Sequence, residues 1–78
     1  MNNINTEALI KSCDSLYRRC SELPIGERHG SAWLFDKVMR VFDDPAAVSV
    51  TLPVYINCVG KGEATLSRDG SLVMRVNH

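Results

Sequence analysis

The run from Val48 to Cys58, VSVTLPVYINC, carries an apolar residue at every even position and mostly polar residues between them. A period of two belongs to a strand with one face in a core and the other in water. Upstream the period changes. Leu9, Cys13, Leu16, Cys20 and Leu23 recur at alternating spacings of four and three, and Ile10 and Tyr17 widen the stripe. Leu34, Phe35, Val38, Val41 and Phe42 form a second such stripe with Trp33 at its edge. Both stripes predict amphipathic helices that need an apolar surface to cover.

Local signals bound these elements. Asn3 or Asn5 caps the first helix, with Ile4 as an apolar staple, and the helix is expected from about Thr6 to about Ser21. Leu23-Pro24-Ile25-Gly26 ends it, because a residue before proline is pushed out of the α region. Ser31 caps the second helix, which Asp44-Pro45 cannot continue. The first strand is expected from about Val48 to Val59. Pro53 has no amide to donate, so the strand lies at a sheet edge or bends there. Gly60-Lys61-Gly62 is expected to turn into a second strand over Glu63–Ser67, and a third covers Ser71–Asn77.

The turn between those last two strands admits two registers. A two-residue Asp69-Gly70 turn pairs Arg68 with Ser71. A three-residue Arg68-Asp69-Gly70 loop, with Gly70 in a left-handed bulge, pairs Ser67 with Ser71. Only the second sets Leu66 opposite Leu72, Ala64 opposite Met74 and Glu63 opposite Arg75. The expected fold is therefore α+β over a single domain, residues 1–78. Two N-terminal helices pack on one face of a three-stranded antiparallel meander, in the order ααβββ. The other face, with Thr51, Tyr55, Asn57, Thr65, Val73 and Arg75, is left to solvent or to a partner.

A chain of 78 residues buries only about 60% of its unfolded surface, so every apolar face has to be used. Nine basic residues balance nine acidic ones. That balance argues against direct nucleic-acid binding, which favours a basic excess. Lys11, Arg18, Arg19 and Arg28 make a basic strip, but Asp14, Glu22 and Glu27 interrupt it and no aromatic series accompanies it. No charged-then-apolar leader opens the chain, and no apolar run approaches the ~20 residues of a membrane span.

Three cysteines do not suggest a disulfide framework. Cys13 and Cys20 fall ~10 Å apart along a helix axis, beyond disulfide reach, and are expected as buried thiols in a reducing cytoplasm. Cys13, Cys20, Cys58 and His29 lack the close pairing of zinc ligands, so no metal or cofactor is expected. His29 and His78 have no orienting third group, and the chain is not expected to be an enzyme. Gly26…Gly30 and Gly60…Gly62 do not lie between a strand and a helix, as a phosphate loop requires, and read as turns.

The acidic residues Glu22, Glu27, Asp36, Asp43 and Asp44 gather around the second helix. Asp43-Asp44 stands at its C-terminal end, where the helix dipole prefers cations. A pair that works against local stability can mark a partner-binding site. The plainer alternative is that Asp44 begins the Asp-Pro turn.

From MNNINTEALIKS to VSVTLPVYINCVG the whole chain resembles the small proteins with which phages inhibit bacterial type I CRISPR systems, type I-C among them. The resemblance implies a host-cytoplasmic protein that binds a protein subunit of the CRISPR surveillance complex. Such binding blocks target DNA or nuclease recruitment. It assigns no residue a role. The alternative is a small regulatory or antitoxin-like module that binds nucleic acid or a cognate protein. Separately, a monomer is expected over a dimer paired through an edge strand.

Overall fold

The computed structural model describes residues 4–22 and 31–77, and of residues 21 and 22 the backbone alone. Its elements are α1 (Thr6–Arg19), β1 (Cys20–Glu22), α2 (Ser31–Phe42), β2 (Ser49–Ile56), β3 (Gly60–Ser67) and β4 (Leu72–Val76). The strands make one antiparallel sheet in the order β1-β2-β3-β4. Leu9, Cys13 and Leu16 of α1 and Leu34, Val38 and Phe42 of α2 are buried together with Leu52, Val54 and Ile56 of β2 and Ala64 and Leu66 of β3. α1 rests against β3 and α2 against β2. The narrowest dimension is 19 Å, the thickness of one helix layer on one sheet. The α+β arrangement of two helices on a three-stranded meander is therefore the one the apolar pattern predicts.

The pattern also predicts the register. Val50 faces Leu66 and Leu52 faces Ala64, so the even rows of β2 and β3 share the helix side. Leu66 pairs with Leu72, Ala64 with Met74 and Glu63 with Arg75. The loop after β3 has three residues. Ser67 N–H donates to Ser71 O at 3.0 Å, Gly70 N–H donates to Ser67 O at 2.9 Å, and Gly70 has φ +90°. The amide and hydroxyl of Ser71 both donate to Asp69 Oδ1 and hold that carboxyl below its usual pKa. A Cβ at Gly70 would collide with Ala8 Cβ, because the first turn of α1 sits directly on this loop. Ser12 Oγ of α1 donates to Gly70 O and closes the same contact.

Three boundaries differ from expectation. The first hairpin turn is Asn57-Cys58-Val59, not Gly60-Lys61-Gly62, and β3 already begins at Gly60. Ile56 pairs with Gly60, and this register keeps every even residue of β2 opposite an even residue of β3. Gly62 is required inside the strand, where a Cβ would strike Arg75 O. Cys58 consequently leaves the alternation. It takes φ +65° and is exposed, so it is not the buried thiol that the strand pattern implies.

α1 stops at Arg19 rather than near Ser21, and Cys20 turns extended at φ −121°. Cys20 keeps its buried place by pairing with Ile56, and β1 so becomes a short fourth strand that the sequence pattern does not predict. β2 is thus covered at its C-terminal end by β1, through Cys20 and Glu22 opposite Ile56 and Tyr55. Pro53 lies beyond that pairing, where its missing amide removes no bond among the described residues.

Candidate interaction surface

Two hairpin turns hold the helices on the sheet. Asn57 N–H donates to Arg19 O at 2.8 Å and its side-chain amide donates to Arg18 O at 3.2 Å. Both carbonyls belong to the last turn of α1, where no intrahelical amide can reach them. At the other turn, Arg68 reaches the end of α2. Its Nε donates to Ala47 O at 2.5 Å, and Nη2 donates to Phe42 O at 2.8 Å and to Asp44 O at 2.5 Å. The guanidinium lies 5.2 Å from the Phe42 ring centroid, within cation–π range. Asn5, whose Oδ1 caps α1 by accepting from Ala8 N–H, also donates its own amide to Arg68 O at 2.9 Å. Sequence reasoning treats Arg68 as a turn residue and misses this role. The signal available is a cation three residues after Thr65 in a loop, opposite a helix that ends in two aspartates.

The acidic residues do not form one site. Asp36 is exposed on α2 and pairs with Arg40 at 3.3 Å. Asp43 follows two turns later, exposed, with Arg40 between the two. Asp44 Oδ1 accepts from Ala46 N–H at 2.9 Å, so Asp44 does begin the Asp-Pro turn. The positive charge of Arg68 at the carbonyls of Phe42 and Asp44 answers the dipole conflict. Glu22 lies in β1 opposite Tyr55, its side chain outside the description. Glu27 lies outside the described residues.

The side of the sheet away from the helices carries no covering element among the described residues. Thr51, Pro53 and Tyr55 of β2, Lys61 and Glu63 of β3, and Val73 and Arg75 of β4 are exposed there, and Thr65 is half-buried. Tyr55 is 41% exposed and Val73 is 55% exposed. Their neighbours complement one another across the strands. Thr51 and Thr65 hydroxyls meet at 3.0 Å, Tyr55 lies opposite Lys61, and Glu63 lies opposite Arg75. The result is a flat, mixed-charge surface with one large aromatic and one β-branched apolar residue on it. Tyr55 adds an amphipathic ring of the kind enriched at protein interfaces.

Other chemistry finds little purchase among the described residues. Burial pushes the Cys13 thiol up to about 11, so it stays protonated and inert near neutrality. Cys58 is exposed. Among the described residues no group of three potential metal ligands converges. A shallow apolar groove of about 170 Å³ lies beside Ile10, Ser31, Ala32 and Phe35. Small-molecule pockets run to roughly 300–1,000 Å³, so this groove is undersized for one. No helix among the described residues is long and apolar enough to cross a membrane. Comparisons with protein-family models, with curated proteins and with solved structures find no match to this chain.

Proposed function

We propose that the protein acts by occupying a surface of a protein partner, with the bare face of its sheet as the principal contact. The observation that carries this reading is the uncovered row Tyr55, Lys61, Glu63, Val73 and Arg75. Its backbone is fixed by β-pairing on the helix-supported sheet, so binding orders side chains rather than main chain and loses less entropy. Mixed charge on such a surface steers and selects a partner more than it adds affinity.

In line with the whole-chain resemblance, the partner is a protein subunit of a host type I CRISPR surveillance complex. The chain then works without catalysis in the host cytoplasm, by blocking target DNA or nuclease recruitment. Asp36 and Asp43 are a secondary contact in this reading, where they would face a basic groove.

The test is binding of purified variants to a purified type I-C surveillance complex, read by titration and by target-DNA cleavage. Tyr55→Thr with Arg75→Thr is expected to weaken binding at least about ten-fold, the scale of losing one interface anchor. Asp43→Lys with Asp44→Lys is expected to act mainly on the association rate. Undiminished binding by the Tyr55/Arg75 variant removes the sheet face as the contact. Absence of binding by the unaltered protein removes this partner. A salt-sensitive gel shift with DNA or RNA alone would favour the regulatory or antitoxin-like alternative.

A further inference from the structure

We infer that β4 is a self-pairing edge, through which two copies of this chain join their sheets antiparallel around Met74. The two edges of the sheet differ. β1 is three residues long and its register shifts between Cys20 and Glu22, which blunts it as a template. β4 is five residues, LVMRV, and contains no proline, lysine or acidic residue. Longer than the other edge and rich in β-branched and apolar residues, with Arg75 its one charge, it is a template for another strand.

The hydrogen-bond phase limits the registers that strand can take. Ser67 N–H donates to Ser71 O, and Asn77 N–H donates to Lys61 O, each at 3.0 Å. Antiparallel ladders alternate bonded and non-bonded pairs, so the odd residues of β4 direct their amides and carbonyls at β3. Leu72, Met74 and Val76 therefore direct theirs outward. A two-fold axis at Met74 pairs Leu72 with Val76 of the second copy, Met74 with Met74, and Val76 with Leu72. Each of these is a bonded pair, so the outward amides and carbonyls of all three residues are satisfied at once.

The side chains agree with that register. Leu72, Met74 and Val76 share the helix side, where Leu72 and Met74 already pack on the core and Val76 is 37% exposed. Pairing sets Leu72 of the second copy beside Val76 and extends the apolar row. On the bare face, Val73 comes opposite Arg75 of the second copy, while Arg75 keeps Glu63 opposite it on its own β3. A register shifted by one residue would put odd residues at the outward bonding sites and fail. This inference does not depend on the partner proposed above, because it concerns the chain alone.

Sedimentation equilibrium of the whole protein from about 10 to 500 µM tests it, with Val73→Lys and Val73→Glu as probes. Val73 is 55% exposed and faces Thr65, so neither change disturbs the core, and far-UV circular dichroism checks that both fold. The unaltered chain is expected at twice its chain mass in the upper range. Val73→Lys sets like charges directly opposite across two symmetric pairs and should weaken the dimer about ten-fold. Val73→Glu makes two opposite-charge pairs with Arg75 and should tighten it several-fold. A monomer throughout the range overturns the inference. A dimer that both variants shift alike, or that neither shifts, assigns pairing to another surface and overturns it equally.

Discussion

The two faces of the sheet are built by opposite rules. On the helix side Ala64 and Leu66 are fully buried, and turn residues reach across to the helix ends. On the other side Thr51 meets Thr65 across the strands, and the face is exposed among the described residues. Stability in a chain of 78 residues amounts to about 4–12 kcal/mol in all, so a few helix-side contacts decide whether it folds. The opposite face carries exposed polar and aromatic residues, Tyr55 and Arg75 among them, that lie outside that buried core.

Gly70→Ala should damage this arrangement most. It forces a Cβ into Ala8 at a backbone angle that disfavours side chains, and should cost about 2–4 kcal/mol in urea unfolding. Arg68→Ala comes next, at about 2–3 kcal/mol, since it strips partners from the carbonyls of Phe42, Asp44 and Ala47. Arg68→Lys should recover less than half of that, because an ammonium cannot span three carbonyls while lying over the Phe42 ring. Asn57→Ala should cost about 1 kcal/mol, as the backbone amide still reaches Arg19 O and only the side-chain bond to Arg18 O is lost.

The smallest effect is on reactivity rather than stability. In the native protein an aromatic disulfide reagent should modify Cys58 rapidly and Cys13 and Cys20 only on unfolding. Fast modification of Cys13 would place α1 off the sheet.

Much of this was legible in the chain, and the exceptions share a cause. The stripe Leu9, Cys13, Leu16, Cys20 is buried as its spacing predicts, and the Arg68-Asp69-Gly70 loop follows from matching Leu66 with Leu72 and Glu63 with Arg75. The other turn misleads because Gly60 and Gly62 look like turn residues. Gly62 is instead a strand residue pressed against Arg75 O, and the left-handed position falls to Cys58. The end of α1 is set by Asn57, 38 positions beyond Arg19, and the end of α2 by Arg68. Local propensity carries no record of partners so distant in sequence. The acidic grouping around α2 was visible as composition, but only geometry separates the paired Asp36, the turn-forming Asp44 and the open Asp43.

Urea unfolding of the Tyr55→Thr/Arg75→Thr variant addresses the division between the two faces most directly. Threonine keeps the strand preference at both positions, so any loss reports what the bare face contributes. The expected result is a stability within about 1 kcal/mol of the unaltered protein and an unchanged denaturant slope. A loss of about 3 kcal/mol or more, as large as that of Gly70→Ala, would contradict it and make the outer face part of the scaffold.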